Sequence, residues 1–144
     1  MKINIPKISL EKLNQKETEI LYNLKSDSYG EKLAEKISEK LIKPDNRGLY
    51  FSHRDYCGIG IFFHNGNFVL STVYDGYGID EVIAEFDSQS EFINWLSKEN
   101  DQSMSLYGKK FNNQTITKLR LSWFLEENYS PIWNDYCCYV REIS

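Results

Sequence analysis

His53, Asp55 and Cys57 alternate along the chain, so on an extended segment all three side chains point to one side. A histidine beside a cysteine can draw off the thiol proton and leave a thiolate nucleophile, which makes this trio the candidate for covalent catalysis. Such a nucleophile also needs an orienting partner and an oxyanion site, and the only other histidine is His64. A rim position or a packed thiol is the plainer reading. Zinc coordination by His53, Cys57, Cys137 and Cys138 uses suitable donor types, but the sequence lacks the C-x-x-C knuckle that brings thiolates together. The phosphate-binding and hydrolase patterns G-x-x-x-x-G-K-[ST], G-x-G-x-x-G, H-E-x-x-H and G-x-S-x-G are absent. No cofactor or metal is expected, and no catalytic residue is assigned.

Charge is the stronger signal. Between Asp75 and Asp101 lie Asp75, Asp80, Glu81, Glu85, Asp87, Glu91, Glu99 and Asp101 against the single base Lys98, a local charge of −7 over 27 residues, whereas the whole chain carries −4. These acids sit beside Tyr74, Tyr77, Phe86 and Trp95. Long-range attraction for a cation together with aromatic anchors is the combination that protein interfaces use. The contact residues expected for a basic protein partner are Asp75, Tyr77, Asp80, Glu81, Glu85 and Asp87, with the acids steering and Tyr77 anchoring; Tyr74 is the aromatic expected to turn into the core. A solvated acidic face is the alternative. Paired glycosidase-type carboxylates would need a fixed separation across a cleft, which this spacing does not define. An overall pI near 5.2 disfavours nucleic acid, which is bound by clustered lysine and arginine.

The elements that must position these residues follow from pattern. With 144 residues, 41% apolar and 15% aromatic, the chain is expected to form one domain with a core that needs no disulfide or metal staple. Three cysteines, two of them adjacent, argue for reduced thiols. No apolar run approaches the roughly 20 residues that span a bilayer, and the amino terminus lacks a secretion-signal core, so the cytoplasm is the expected location.

Residues 1–43 read as a helical hairpin. Leu10, Leu13, Ile20, Leu21 and Leu24 mark its first helix, and a Ser28/Glu31 capping box precedes Leu33, Ala34, Ile37 and Leu41 in the second, which Pro44 helps to stop. The Glu and Lys residues from Glu31 to Lys40 read as a solvated face. Residues 48–87 read as an antiparallel sheet. Residues 49–52 are expected as a strand, Asn65-Gly66 as a type I′ turn placing Phe63 opposite Phe68 and Ile61 opposite Leu70, and Glu81–Phe86 as a further strand after the Asp75-Gly76-Tyr77-Gly78 turn. Gly58, Gly60 and Ser71 leave one face of that hairpin without bulk, as a notch or a close approach of another backbone. Residues 88–144 read as helices and a tail: a Ser88/Glu91 capping box opens a helix burying Phe92, Trp95 and Leu96, Thr117 caps one through about Glu126 that is apolar nearly all round, and Tyr136–Val140 is a candidate strand. The expected class is α+β, an antiparallel sheet of three to five strands packed against amino- and carboxy-terminal helices.

The run Ser52-His53-Arg54-Asp55 leading to Gly58-Ile59-Gly60, then Val73-Tyr74-Asp75-Gly76, Glu91-Phe92 with Trp95-Leu96, and Asn113-Gln114-Thr115-Ile116-Thr117 before Leu121 resembles small bacterial immunity proteins that neutralise polymorphic toxins, including those of contact-dependent inhibition systems. The resemblance covers residues 49–125, about half of the chain. It implies a non-catalytic cytoplasmic protein that blocks a cognate toxin by tight one-to-one binding. Two other readings stand beside it: a regulatory or scaffold module binding an endogenous protein, and a small enzyme using Cys57 and His53.

Overall fold

The computed structural model describes residues 1–52, 55–111, 114–127 and 129. Among these, four strands form one antiparallel sheet in the order β1-β4-β3-β2, with β1 at Lys2–Ile3, β2 at Cys57–His64, β3 at Asn67–Tyr74 and β4 at Val82–Phe86. Five helices accompany it: α1 at Gln15–Asn23, α2 at Glu31–Ile42, α3 at Gln89–Lys98, α4 at Asp101–Ser105 and α5 at Lys118–Phe124. The molecule is therefore α+β.

The β2–β3 hairpin forms in the register its turn dictates. Asn65 and Gly66 take φ values of 52° and 81°, the left-handed pair of a type I′ turn, and His64 faces Asn67, Phe63 faces Phe68 and Ile61 faces Leu70. Alternation then sends Ile59, Ile61, Phe68 and Leu70 to one face. There they meet Ala34, Ile37 and Leu41 of α2, Phe92, Trp95 and Leu96 of α3, Met104 of α4, and Leu121 and Phe124 of α5 in the main core. Phe92 is fully buried; its ring stacks on Phe68 at 4.5 Å and meets Phe86 edge-on at 5.6 Å. Burial of this aromatic group is what holds α3 on the sheet.

The opposite face carries a smaller cluster of Tyr50, Phe51, Tyr56, Phe62 and Val73. Here the chain preceding β2 lies directly on the hairpin. A Cβ at Gly60 would sit 2.9 Å from the Leu49 carbonyl oxygen, and one at Gly58 would sit 2.3 Å from both the Gln114 carbonyl oxygen and the Tyr56 hydroxyl. The bare positions are thus sites of close backbone approach.

Several expectations need correction. Residues 49–52 are not a strand: Leu49 makes a single antiparallel bridge to Ile61, after which Tyr50 and Phe51 bury their rings in the smaller cluster. The fourth strand comes instead from Lys2–Ile3, inside the segment read as purely helical. Two residues are too few to show a period, but they pair with Glu85 and Ala84 of β4. Leu10 belongs to a 3-10 turn at Leu10–Lys12 and is exposed. The cap of α2 is Gly30, whose preceding Tyr29 is drawn into the core, so the Ser28/Glu31 box does not form. A capping box does open α1, between Asn14 and Glu17. Ser88 and Thr117 cap α3 and α5 through bonds from the Glu91 and Arg120 amides, but of the Ser88/Glu91 box only this Ser88 half forms. In α5 only one side is covered: Leu121 and Phe124 are buried while Leu119 is exposed. Lys40 leaves the solvated face of α2 and donates to the carbonyls of Phe124, the last residue of α5, and of Glu126 just beyond it, above the Phe124 and Tyr129 rings. The candidate strand Tyr136–Val140 lies outside the described residues. No helix among those described is long and apolar enough to cross a membrane.

Candidate functional site

The acidic segment divides into three environments. Asp75, Tyr77, Asp80 and Glu81 lie on the β3–β4 connection. It turns sharply, with Asp75, Gly76 and Gly78 all at positive φ and the Tyr77 amide bonded to the Tyr74 carbonyl at 3.1 Å. Its return is pinned to β3 by the Asp80 amide to Thr72 O at 3.0 Å and by the Thr72 amide to Glu81 O at 2.8 Å. The Asp80 amide also reaches the Ser71 hydroxyl, and the Glu81 amide the Thr72 hydroxyl. With both ends held, Tyr77 projects at 86% exposure between Asp75 and Asp80.

Glu85 and Asp87 lie towards the far end of β4, about 16 Å along a five-residue strand from the connection. They line an acidic cleft with Glu91, Asn67 and Lys2, and Lys2 is the cross-strand neighbour of Glu85. The six expected contact residues therefore form two groups on one sheet.

Glu99 and Asp101 are buried and structural. Glu99 Oε1 accepts from the Tyr107 hydroxyl at 2.9 Å, and Tyr107 in turn accepts from Trp95 Nε1 at 2.8 Å. Its other oxygen takes Lys7 Nζ at 3.3 Å and the Ser103 hydroxyl. Asp101 Oδ1 accepts from the Tyr29 hydroxyl and from the Lys118 amide, both at 2.9 Å, tying the start of α5 to the residue that leads into α2. Burial pushes the Tyr29 phenol far above its ordinary range, and the Asp101 charge adds to the shift. Burial raises Tyr107 as well, with the Glu99 carboxylate contributing. Both phenols stay protonated donors through the neutral range.

Of the four aromatic residues beside the acids, Phe86 and Trp95 are core, packed together at 4.7 Å. Tyr74, expected inside, is 60% exposed. It pairs with Cys57 at the open end of the hairpin.

That open end forms one wall of a groove of about 430 Å³, which neither the charge run nor the hydrophobic period reveals. Opposite stands the 107–111 loop, whose Gly108 lies over Ile59. Asp80, Glu81, Lys109 and Lys110 all line it, and Lys109 Nζ reaches Glu81 Oε1 at 2.7 Å. Both partners of this bridge are largely exposed, which limits its worth to roughly 1 kcal/mol. A sequence signal existed in the Lys109-Lys110 pair, but 28 residues separate Lys109 from Glu81.

Asp55 is exposed in the turn before β2, and Cys57 is exposed as its first residue. His53, the base of the thiol chemistry considered for the trio, lies outside the described residues, as do Cys137 and Cys138. Among the described residues no three His, Cys, Asp or Glu side chains gather as a metal would require.

No protein-family model, curated protein or solved structure matches this chain.

Proposed function

We propose that the chain is a non-catalytic inhibitor, an immunity protein that neutralises a cognate cytotoxic protein by stoichiometric binding through its acidic surface. The observation that carries the reading is the pinned β3–β4 connection, which presents the 86%-exposed Tyr77 between Asp75 and Asp80. An aromatic ring held out on a fastened loop loses little conformational freedom on docking, and the adjacent carboxylates attract a cationic surface before contact. A standard interface covers roughly 800 Å² per partner, wide enough to take in Glu81, Glu85 and Asp87 as well. A nuclease toxin is the partner that fits best, because its substrate channel must be basic and an acidic inhibitor can occupy the place of the phosphate backbone. The resemblance of residues 49–125 to immunity proteins points the same way.

The test is co-expression of this chain with the carboxy-terminal domain encoded by the neighbouring gene. Rescue of growth together with a stable one-to-one complex is the expected result. Death of the co-expressing cells, or turnover of a substrate by the purified chain, would overturn the proposal.

A further inference from the structure

Among the described residues β2 is an edge strand, bonded to β3 on one side alone. The two-residue turn makes His64 and Asn67 a hydrogen-bonded pair, so Phe62, Gly60 and Gly58 also bond across to β3. Ile59, Ile61 and Phe63 therefore turn their main-chain groups outward. Unpaired rungs of this kind template the addition of another strand, and proteins commonly blunt them with lysine, proline or a bulge. Residues 57–63 have none of these. They are an uncharged run rich in isoleucine and phenylalanine, the composition that forms cross-β stacks.

The outward rungs are filled instead from within the chain. The Leu49 amide donates to the Ile61 carbonyl at 2.7 Å, and the Leu49 carbonyl accepts from the Ile61 amide at 2.8 Å. One rung nearer the start of β2, the Tyr56 hydroxyl accepts from the Ile59 amide at 3.2 Å and lies 3.2 Å from the Ile59 carbonyl oxygen. Gly60 and Gly58 are what let these groups come so close, since a Cβ at either would collide with Leu49 or Tyr56. Phe63, next to the turn, has no main-chain partner on that side among the described residues.

We propose that Leu49 and Tyr56 form an edge guard, a built-in contact that stops a second copy of this chain from adding its own β2, with the Tyr56 hydroxyl taking the place of a strand at Ile59. A phenol oxygen can do this because it both accepts and donates, as a peptide unit does. Its removal leaves the Ile59 amide buried and unanswered, and a strand from another copy satisfies it. The contact is internal, so it operates whatever partner the protein binds.

The test compares the parent chain with Tyr56→Phe and Tyr56→Ala, all in reductant so that Cys57 cannot cross-link copies. Phe92→Leu, which loosens the core on the other face and leaves the edge covered, is the control, with urea adjusted to give every protein the same folded fraction. Sedimentation over a concentration series and thioflavin T binding read association. Tyr56→Phe should associate at a concentration about tenfold below that of Phe92→Leu, the equivalent of one unmade hydrogen bond, and Tyr56→Ala lower still. Adding Cys57→Lys to Tyr56→Phe should reverse the change, because a lysine on an edge strand blocks edge-to-edge pairing. Amide exchange locates the contact: Ile59 should exchange faster in monomeric Tyr56→Phe than in the parent and slow again on association. Association of Tyr56→Phe no earlier than the control's, or association that Cys57→Lys leaves untouched, would overturn the proposal. An Ile59 amide as protected in monomeric Tyr56→Phe as in the parent would overturn it equally.

Discussion

Asp101 and Glu99 carry the same charge as Asp80 and belong to the same acidic run, yet their roles differ because of what surrounds each carboxylate. Asp101 is 7% exposed and Glu99 6%, and both accept from phenols that burial keeps protonated. A tyrosine whose folded pKa is raised contributes stability that is complete below its unfolded value, near 10, and is lost as pH climbs beyond it. Stability against denaturant should therefore hold to about pH 9 and then fall, each buried phenol adding up to about 1.4 kcal/mol per pH unit. Urea midpoints measured from pH 8 to 11 check this. Tyr29→Phe should flatten the decline while lowering stability at pH 7 by about 1–3 kcal/mol, since Asp101 loses one donor. An undiminished slope in Tyr29→Phe would place the alkaline transition elsewhere.

The β2–β3 hairpin shows how an element is finished by what crosses it. Its turn, register and core face follow from Asn65-Gly66 and simple alternation, but the use of its bare face depends on chain arriving from both sides in sequence. Tyr56 lies over Gly58, its hydroxyl accepting from the Ile59 amide at 3.2 Å and donating to the Gln114 carbonyl at 3.0 Å. Gly58→Ala would drive a methyl group into that bond and into the Gln114 backbone. A cost of about 2–3 kcal/mol is expected. Gly66→Ala strains only the turn: its neighbourhood is open, so its cost should be nearer 1 kcal/mol despite the positive φ. Equilibrium unfolding of both variants tests the order, and equal losses would mean that the overlying chain gives way.

Across the molecule, charge is sorted by the sheet. The β3–β4 connection holds one acidic group and the end of β4 another, while the remaining two acids of the run past α3 are taken inside. Capture of a basic partner through this distribution should be fast and salt-dependent. Replacing Asp75 and Asp80 by Lys is expected to lower the association rate with the proposed partner about tenfold or more at low ionic strength and to flatten its dependence on salt, leaving the melting temperature nearly unchanged. Stopped-flow mixing over a salt series measures this. An unaltered rate would move the docking surface away from the connection.

Local pattern determined the hairpin, the end of α2 before Pro44, the caps at Ser88 and Thr117 and the α+β class, because turn chemistry, capping and hydrophobic period act over a few neighbouring residues. It also located the acidic run. Tertiary packing decided which of those acids are buried: no local period announces that Tyr107, eight residues on, turns back to Glu99, and nothing near Asp101 announces Tyr29 or near Glu81 announces Lys109. The same holds for Lys2–Ile3, whose pairing with β4 depends on a strand some 80 residues away. Burial and ion pairing are properties of neighbours in space, and in this chain those neighbours are supplied by segments far apart along it.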